Sequence, residues 1–262
     1  MAAETQYTAN TGMVTISSAN TNLDGTGTLG TLITAASNGT LIKRISFKAL
    51  GNTTQGMLRL FIYDGTNTRL VQEIEVPAVT KSAQDHSFET SIECNFRLKP
   101  GNVFKVSTEK AETFNVVANA ANWAYYGASV RPESTNYTAN TGNAVISTAN
   151  SNLDGTGTLG TVLTAGASGS GWKGCLIESI TVKATVSTNY GMVRIFLYDG
   201  TNTKLLTEVE VPAVTKSSVA QSFSALLPLG FELQAGWAIK ASTQLAESFV
   251  VTAEGLDWTY PA

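Results

Sequence analysis

Gly56-Met57-Leu58-Arg59-Leu60-Phe61-Ile62-Tyr63-Asp64-Gly65-Thr66-Asn67-Thr68 decides the fold class of this chain. An apolar, aromatic-rich run ends at Asp64-Gly65, and a second β-rich run, Thr68 to Val76, follows. A short Gly-containing loop between two such runs is a hairpin signal. Pro77 closes the second run, because proline cannot donate to a strand ladder. The same hairpin returns as Gly191-Met192-Val193-Arg194-Ile195-Phe196-Leu197-Tyr198-Asp199-Gly200-Thr201-Asn202-Thr203.

Outward from the hairpin, the duplication extends in both directions. Tyr7 to Gly12 recurs as Tyr137 to Gly142, Leu23 to Thr31 as Leu153 to Thr161, and Val76 to Ser82 as Val211 to Ser217. Early matches are offset by 130 (137 minus 7) and later ones by 135 (196 minus 61), so the second copy carries five extra residues. They fall in the small, glycine-rich stretch Ala165 to Gly171, which reads as a surface loop. A repeat this long is a duplicated domain rather than a solenoid unit, and each copy can bury its own core. The expected organisation is a first domain at 1–127, a linker at 128–136 and a second domain at 137–262.

Further strands are expected at Met13 to Ser17, Leu29 to Ala35, Leu41 to Leu50, Ser87 to Phe96, Val103 to Thr108 and Thr113 to Ala118. No run shows helical periodicity. Seven or eight short strands per copy, separated by regular turns, predict an all-β protein of two tandem, homologous antiparallel β-sandwich or jelly-roll domains.

Composition excludes several classes. The 262 residues carry a formal net charge of −3 with mixed signs, without the basic stripe that nucleic-acid binding requires. No apolar run reaches membrane-spanning length, and no charged-then-apolar export signal opens the chain. Thr, Ser, Asn, Ala and Gly dominate, which suits surfaces that bury against neighbours while desolvating few charges.

Several motifs resemble chemistry without supporting it. Gly25 to Gly30 and Gly155 to Gly160 match G-x-G-x-x-G, but the flanking sequence supplies no strand before and no helix after. Glu73 with Glu75, and Glu208 with Glu210, lie two apart on one strand, whereas glycoside hydrolysis needs carboxylates facing across a cleft. They read as a solvated strand face. Asp24 and Asp154 lack the neighbouring oxygens of a calcium loop. His86 is the one histidine and has no counterpart in the second copy, and Cys94 and Cys175 occupy non-equivalent positions. No catalytic, cofactor or metal residue is therefore assigned.

The strand before Asp-Gly has an unusual second face. Met57, Arg59, Phe61 and Tyr63, with Met192, Arg194, Phe196 and Tyr198, combine the residue types enriched at interface cores. These eight are the candidate interface residues. The competing reading buries the strand on both faces, with Arg59 paired to a carboxylate such as Glu112. Trp123 and Trp258 recur near the end of each copy and are the candidate glycan contacts of an alternative, carbohydrate-binding reading.

The runs Arg59 to Thr68, Glu73 to Thr80 and Ala111 to Val116, with their counterparts Arg194 to Thr203, Glu208 to Thr215 and Ala246 to Val251, resemble the β-rich modules of tailed-phage virion structural proteins. The resemblance covers most of both copies. It implies a non-enzymatic protein of the capsid surface, made in the host cytoplasm: a capsid decoration (cement) protein or a tail-associated one. The partners it implies are the major capsid protein and, with three chains giving six similar modules for threefold or quasi-sixfold sites, a homotrimer. A carbohydrate-binding tail adhesin and a double jelly-roll major capsid protein are the alternatives.

Overall fold

A computed structural model describes residues 5–82, 84–125, 136–167, 171–217 and 221–259. Every regular element among them is a strand. The first unit contains β1 (Thr5–Ile16), β2 (Gly30–Thr34), β3 (Thr40–Ala49), β4 (Gly56–Tyr63), β5 (Thr68–Val76), β6 (Glu89–Leu98), β7 (Val103–Thr108) and β8 (Phe114–Tyr125). The second contains β9 (Asn136–Ile146), β10 (Gly160–Thr164), β11 (Trp172–Ala184), β12 (Gly191–Tyr198), β13 (Thr203–Val211), β14 (Ser224–Leu233), β15 (Ala238–Thr243) and β16 (Phe249–Thr259). The expected linker, 128–136, lies outside the described residues except for Asn136, which opens β9. Part of the five-residue insertion, 168–170, also lies outside them.

Within the first unit one sheet has the order β1-β8-β3-β6 and the other β2-β7-β4-β5; the second unit repeats this as β9-β16-β11-β14 and β10-β15-β12-β13. All pairs are antiparallel. Chain order alternates between the sheets except at the β4–β5 hairpin and its copy. That is the jelly roll the strand spacing predicts.

The alternation of side chains builds the core. Ile45 and Phe47 of β3, Leu58 and Leu60 of β4, Val106 of β7 and Val116 of β8 are buried between the two sheets of the first unit. In the second, Ile180, Val182, Val193, Ile195 and Val251 are fully buried. Each such side chain contributes about 1.5–3 kcal/mol on burial.

The hairpin turn is braced by Asp64. Its Oδ1 accepts the amides of Thr66 (2.9 Å) and Asn67 (2.7 Å), while Gly65 adopts φ 97°. Asp199 does the same for Thr201 and Asn202, beside Gly200 at φ 99°. Both hairpins carry a bulge: Leu60 faces Gln72 but Phe61 faces Leu70, and Ile195 faces Thr207 but Phe196 faces Leu205. Val71 and Leu206 are the extra residues. A bulge shifts register and re-aims the side chains beyond it.

A polar trio joins β1, β3 and β8. Asn10 Nδ2 and Thr40 Oγ1 both donate to Asn122 Oδ1, at 2.8 Å and 2.6 Å. The equivalent trio in the second unit is Asn140, Cys175 and Asp257, with Asn140 Nδ2 donating to Asp257 Oδ2 at 2.9 Å. Cys175 is fully buried, and that burial, with its hydrogen bond to Asp257, pushes its thiol far above the ordinary range. It behaves as a packing group rather than a nucleophile.

Candidate interaction surface

The loop from Ser17 to Leu29 explains where the candidate row lies. Ala19 forms a parallel bridge with Thr108, and the Asn20 amide donates to the Thr108 carbonyl at 2.8 Å. The loop then runs over the outer side of β4: the Asn20 carbonyl accepts from Arg59 Nη1 (2.9 Å), and Gly25 packs against Thr68, the cross-strand partner of Tyr63. Phe61, between Arg59 and Tyr63 on that row, is fully buried yet outside the core between the sheets. The second unit repeats the arrangement: Asn150 donates its amide to Thr243, its carbonyl accepts from Arg194 Nη1 at 2.8 Å, and Phe196 is fully buried.

The loop is self-supporting. Asn20 Nδ2 donates to the carbonyls of Thr26 (2.9 Å) and Thr28 (3.0 Å), and its Oδ1 accepts the Asn22 amide. Asp24 Oδ1 accepts both the hydroxyl and the amide of Thr26. Those two hydrogen bonds hold the Asp24 carboxyl below the usual carboxylate range. The brace is therefore intact at neutral pH and opens only as acid protonates the carboxylate. Asp154 is held down in the same way by Thr156. Gly25 and Gly27 have φ near +84° and +81°, so glycine is needed for backbone conformation. The strand β2 follows this G-x-G-x-x-G run directly, which leaves no helix N-terminus for a phosphate. Among the described residues, no cluster of His, Cys, Asp or Glu is placed to hold a metal ion.

Sequence reasoning passes over Asn20 and Asn150, although the offset of 130 between them (150 minus 20) is the available signal. Asn20→Ala is expected to cost about 1–2 kcal/mol by removing the hydrogen bonds that this buried side chain makes to Thr26, Thr28 and Asn22. Thermal unfolding and faster amide exchange at Asn22 would register it; unchanged exchange there would contradict the role.

The row is thus divided. Arg59 is 6% exposed, and Phe61, Met192, Arg194 and Phe196 are at most 1% exposed. Arg59 Nε donates to Glu73 Oε1 at 2.9 Å, with Glu109 at 3.9 Å from Nη2. Glu112, the partner suggested by sequence, instead accepts from the amide and hydroxyl of Thr54. Glu73 is exposed as expected of a solvated face, but Glu208 is buried. Glu208 pairs with Arg194 at 3.0 Å, with side-chain exposures of 0% and 2%, while Glu73 keeps 40%. Met57, Tyr63 and Tyr198 remain half-buried. Tyr63 donates its hydroxyl to the Gly65 carbonyl and carries the Lys105 ammonium 4.6 Å from its ring centre. Tyr198 repeats this with Gly200 and Lys240, at 3.5 Å.

The candidate glycan tryptophans are differently placed. Trp258 is buried, while Trp123 is half-buried with the Arg97 guanidinium 5.9 Å over its ring and Gly39 against its edge.

The outer edges of the units carry different residues. On β6, Glu89 and Glu93 pair with Lys48 (3.0 Å) and Arg44 of the adjacent β3. Their counterparts on β14 are Ser224 and Pro228, and between them Leu226 is 65% exposed. Val145 of β9 is 64% exposed.

No protein-family model matches the chain, and no curated protein matches it. Similar solved structures include the crystal structure of the STIV MCP, at 10% identity and TM-score 0.29, covering 98% of this chain and 97% of that one. The major capsid protein P2 from bacteriophage PM2 matches at 12% identity and TM-score 0.25, covering 97% and 98%. An f-lectin (fucolectin) from the serum of the striped bass, Morone saxatilis, matches at 9% identity and TM-score 0.24, covering 97% and 99%. Likenesses this distant carry no argument about what the chain binds.

Proposed function

We propose that the chain is a non-enzymatic virion structural protein: a capsid decoration (cement) protein that binds the outer shell and stabilises it by bridging subunits. Residues 1–127 and 137–262 are its two modules and 128–136 joins them. The observation that carries the reading is the contrast between the two units. The turn brace, the Arg–Glu pair, the loop asparagine and the strand order are retained in both. The exposed residues of β6 and β14 differ, and the sequence differs between Lys81 to His86 and Lys216 to Gln221. A duplicated scaffold with diverged surfaces suits a protein that meets two unlike neighbours. The hairpin motifs that resemble tailed-phage virion modules support the setting.

In this reading the chemistry is surface burial. Met57, Tyr63 and Tyr198, the half-exposed members of the candidate row, are assigned to contact, and the buried members hold the surface beneath them. Three chains supply six similar modules to a threefold or quasi-sixfold site on the shell. A chain that is monomeric both free and on particles would remove the trimer from this proposal.

The test is gold-labelled antibody imaging of particles from the source lysate. Even labelling of the head is expected, with shells that still assemble without the protein but break at lower temperature. A second reading, a double jelly-roll capsid subunit, is favoured by the tandem jelly rolls themselves; it requires that no shell form without the protein. Label confined to the tail would favour the adhesin instead, and label on no particle would overturn the virion setting.

A further inference from the structure

The end of the first unit holds a cleft of about 530 Å³, within the size range of small-ligand sites. Asp64, Thr66 and Asn67 of the β4–β5 turn line one side; Phe96 and Arg97 of β6, then Lys99 and Asn102 of the following turn, line the other. The two sides come from different sheets, so the cleft exists only because the jelly roll brings these turns together.

The walls are set in place by groups outside the cleft. Asn95 adopts φ 46°, where β6 bulges: Ile42 of β3 faces Phe96, but Arg44 faces Glu93. The bulge aims the residues that follow it. Phe96 is held edge-on by Phe104 at 5.6 Å and remains 36% exposed. Trp123 supports the Arg97 guanidinium from below. Asp64 Oδ1 is occupied by the turn amides, whereas its Oδ2 accepts no hydrogen bond from any described residue. The side-chain ends of Asn67, Lys99 and Asn102 likewise make no hydrogen bond to a described residue.

The duplicate unit shows what the site would look like if disabled. Arg97, Lys99 and Asn102 correspond to Glu232, Gln234 and Trp237. Phe231, the counterpart of Phe96, is only 5% exposed, and Asn202 Nδ2 binds Asp199 Oδ2 at 3.0 Å. The scaffold is the same, but the cations are gone and the free carboxylate oxygen is taken.

We propose that the cleft framed by Asp64, Asn67, Phe96, Arg97, Lys99 and Asn102 binds an acidic saccharide. Arg97 and Lys99 meet the sugar carboxylate. Asp64 Oδ2, Asn67 and Asn102 take the ring hydroxyls, which both donate and accept. The exposed face of Phe96 receives the C–H face of the pyranose. The site uses Trp123 to position Arg97 and not as the sugar platform. The inference does not depend on the virion reading.

The test titrates the full chain with three probes, oligogalacturonate, oligomannuronate and sialyllactose, and with carboxyl-reduced oligogalacturonate and oligomannuronate. Amide shifts are expected around Asp64, Asn67, Arg97 and Asn102 with at least one acidic probe. A probe that binds should lose affinity as salt rises and should not bind after carboxyl reduction. Arg97→Glu and Asn102→Trp, which install the second unit's residues, should each weaken binding about tenfold or more, the loss of one charge-assisted hydrogen bond or of the space it needs. Their melting temperatures should not change. Binding of none of the acidic probes, equal binding of a carboxyl-reduced partner, or wild-type affinity in both variants would overturn the proposal.

Discussion

Arg194→Met is expected to destabilise the chain by about 3–5 kcal/mol, the usual consequence of leaving one buried charge without its partner. The Glu208 carboxylate has no side-chain exposure, so water cannot replace the guanidinium that now sits 3.0 Å away. The variant also removes the donor to the Asn150 carbonyl, which ties the covering loop to β12. Arg59→Met removes the same contacts in the first unit, but Glu73 is 40% exposed and would be resolvated. Its cost should be distinctly smaller, since half-exposed pairs contribute little. Urea unfolding of the two variants, followed by tryptophan fluorescence, measures the difference. Pairing Arg194→Met with Glu208→Leu should recover much of the loss, because an apolar pair avoids the stranded charge. Equal, small losses for both arginines would show that the second pair is hydrated in solution.

Gly142→Val is expected to be as damaging, at about 3 kcal/mol or more, for a different reason. A Cβ at Gly142 would sit 2.1 Å from the Val162 carbonyl oxygen and 3.0 Å from the Leu163 Cα. Both are backbone, so no rotamer can relieve the overlap; β9 and β10 would have to separate. Gly12 makes the same approach to the Leu32 carbonyl, at 2.2 Å. Its φ is not positive, so the requirement is one of space and not of backbone freedom. Faster amide exchange in β9 and β10 should accompany the loss. By contrast Gly65→Ala, in open space, should lose only the small penalty of a positive φ. A Gly142 variant as stable as that one would mean that the strands are not in contact there.

The hairpin shows how far local reading reaches. Tyr63-Asp64-Gly65-Thr66-Asn67-Thr68 specifies its own turn, because the aspartate that accepts the turn amides and the glycine that takes positive φ are neighbours in the chain. Counting back from that turn without interruption would set Gln72 opposite Arg59. The bulge at Val71 moves Glu73 there instead, and nothing in the alternation of Leu70-Val71-Gln72 announces it. The arginine's partner is thus one residue away from where pairing by count would put it, and Glu112 serves Thr54.

What the sequence by itself determined is what short-range chemistry and repetition encode: an all-β chain, its hairpins, the duplication, and the apolar faces of β4 and β12 that point into the cores. Which sheets those strands enter, and what lies on their outer faces, were decided by tertiary structure alone. The loop that seals Arg59 and Phe61 begins some forty residues before them in the chain (59 minus 17 is 42) and carries few apolar side chains. It holds its place through backbone carbonyls and an asparagine amide, groups that every residue or many residues possess. Hydrophobic patterning cannot report such contacts, because they depend on where two distant backbones meet and not on which side chains they carry.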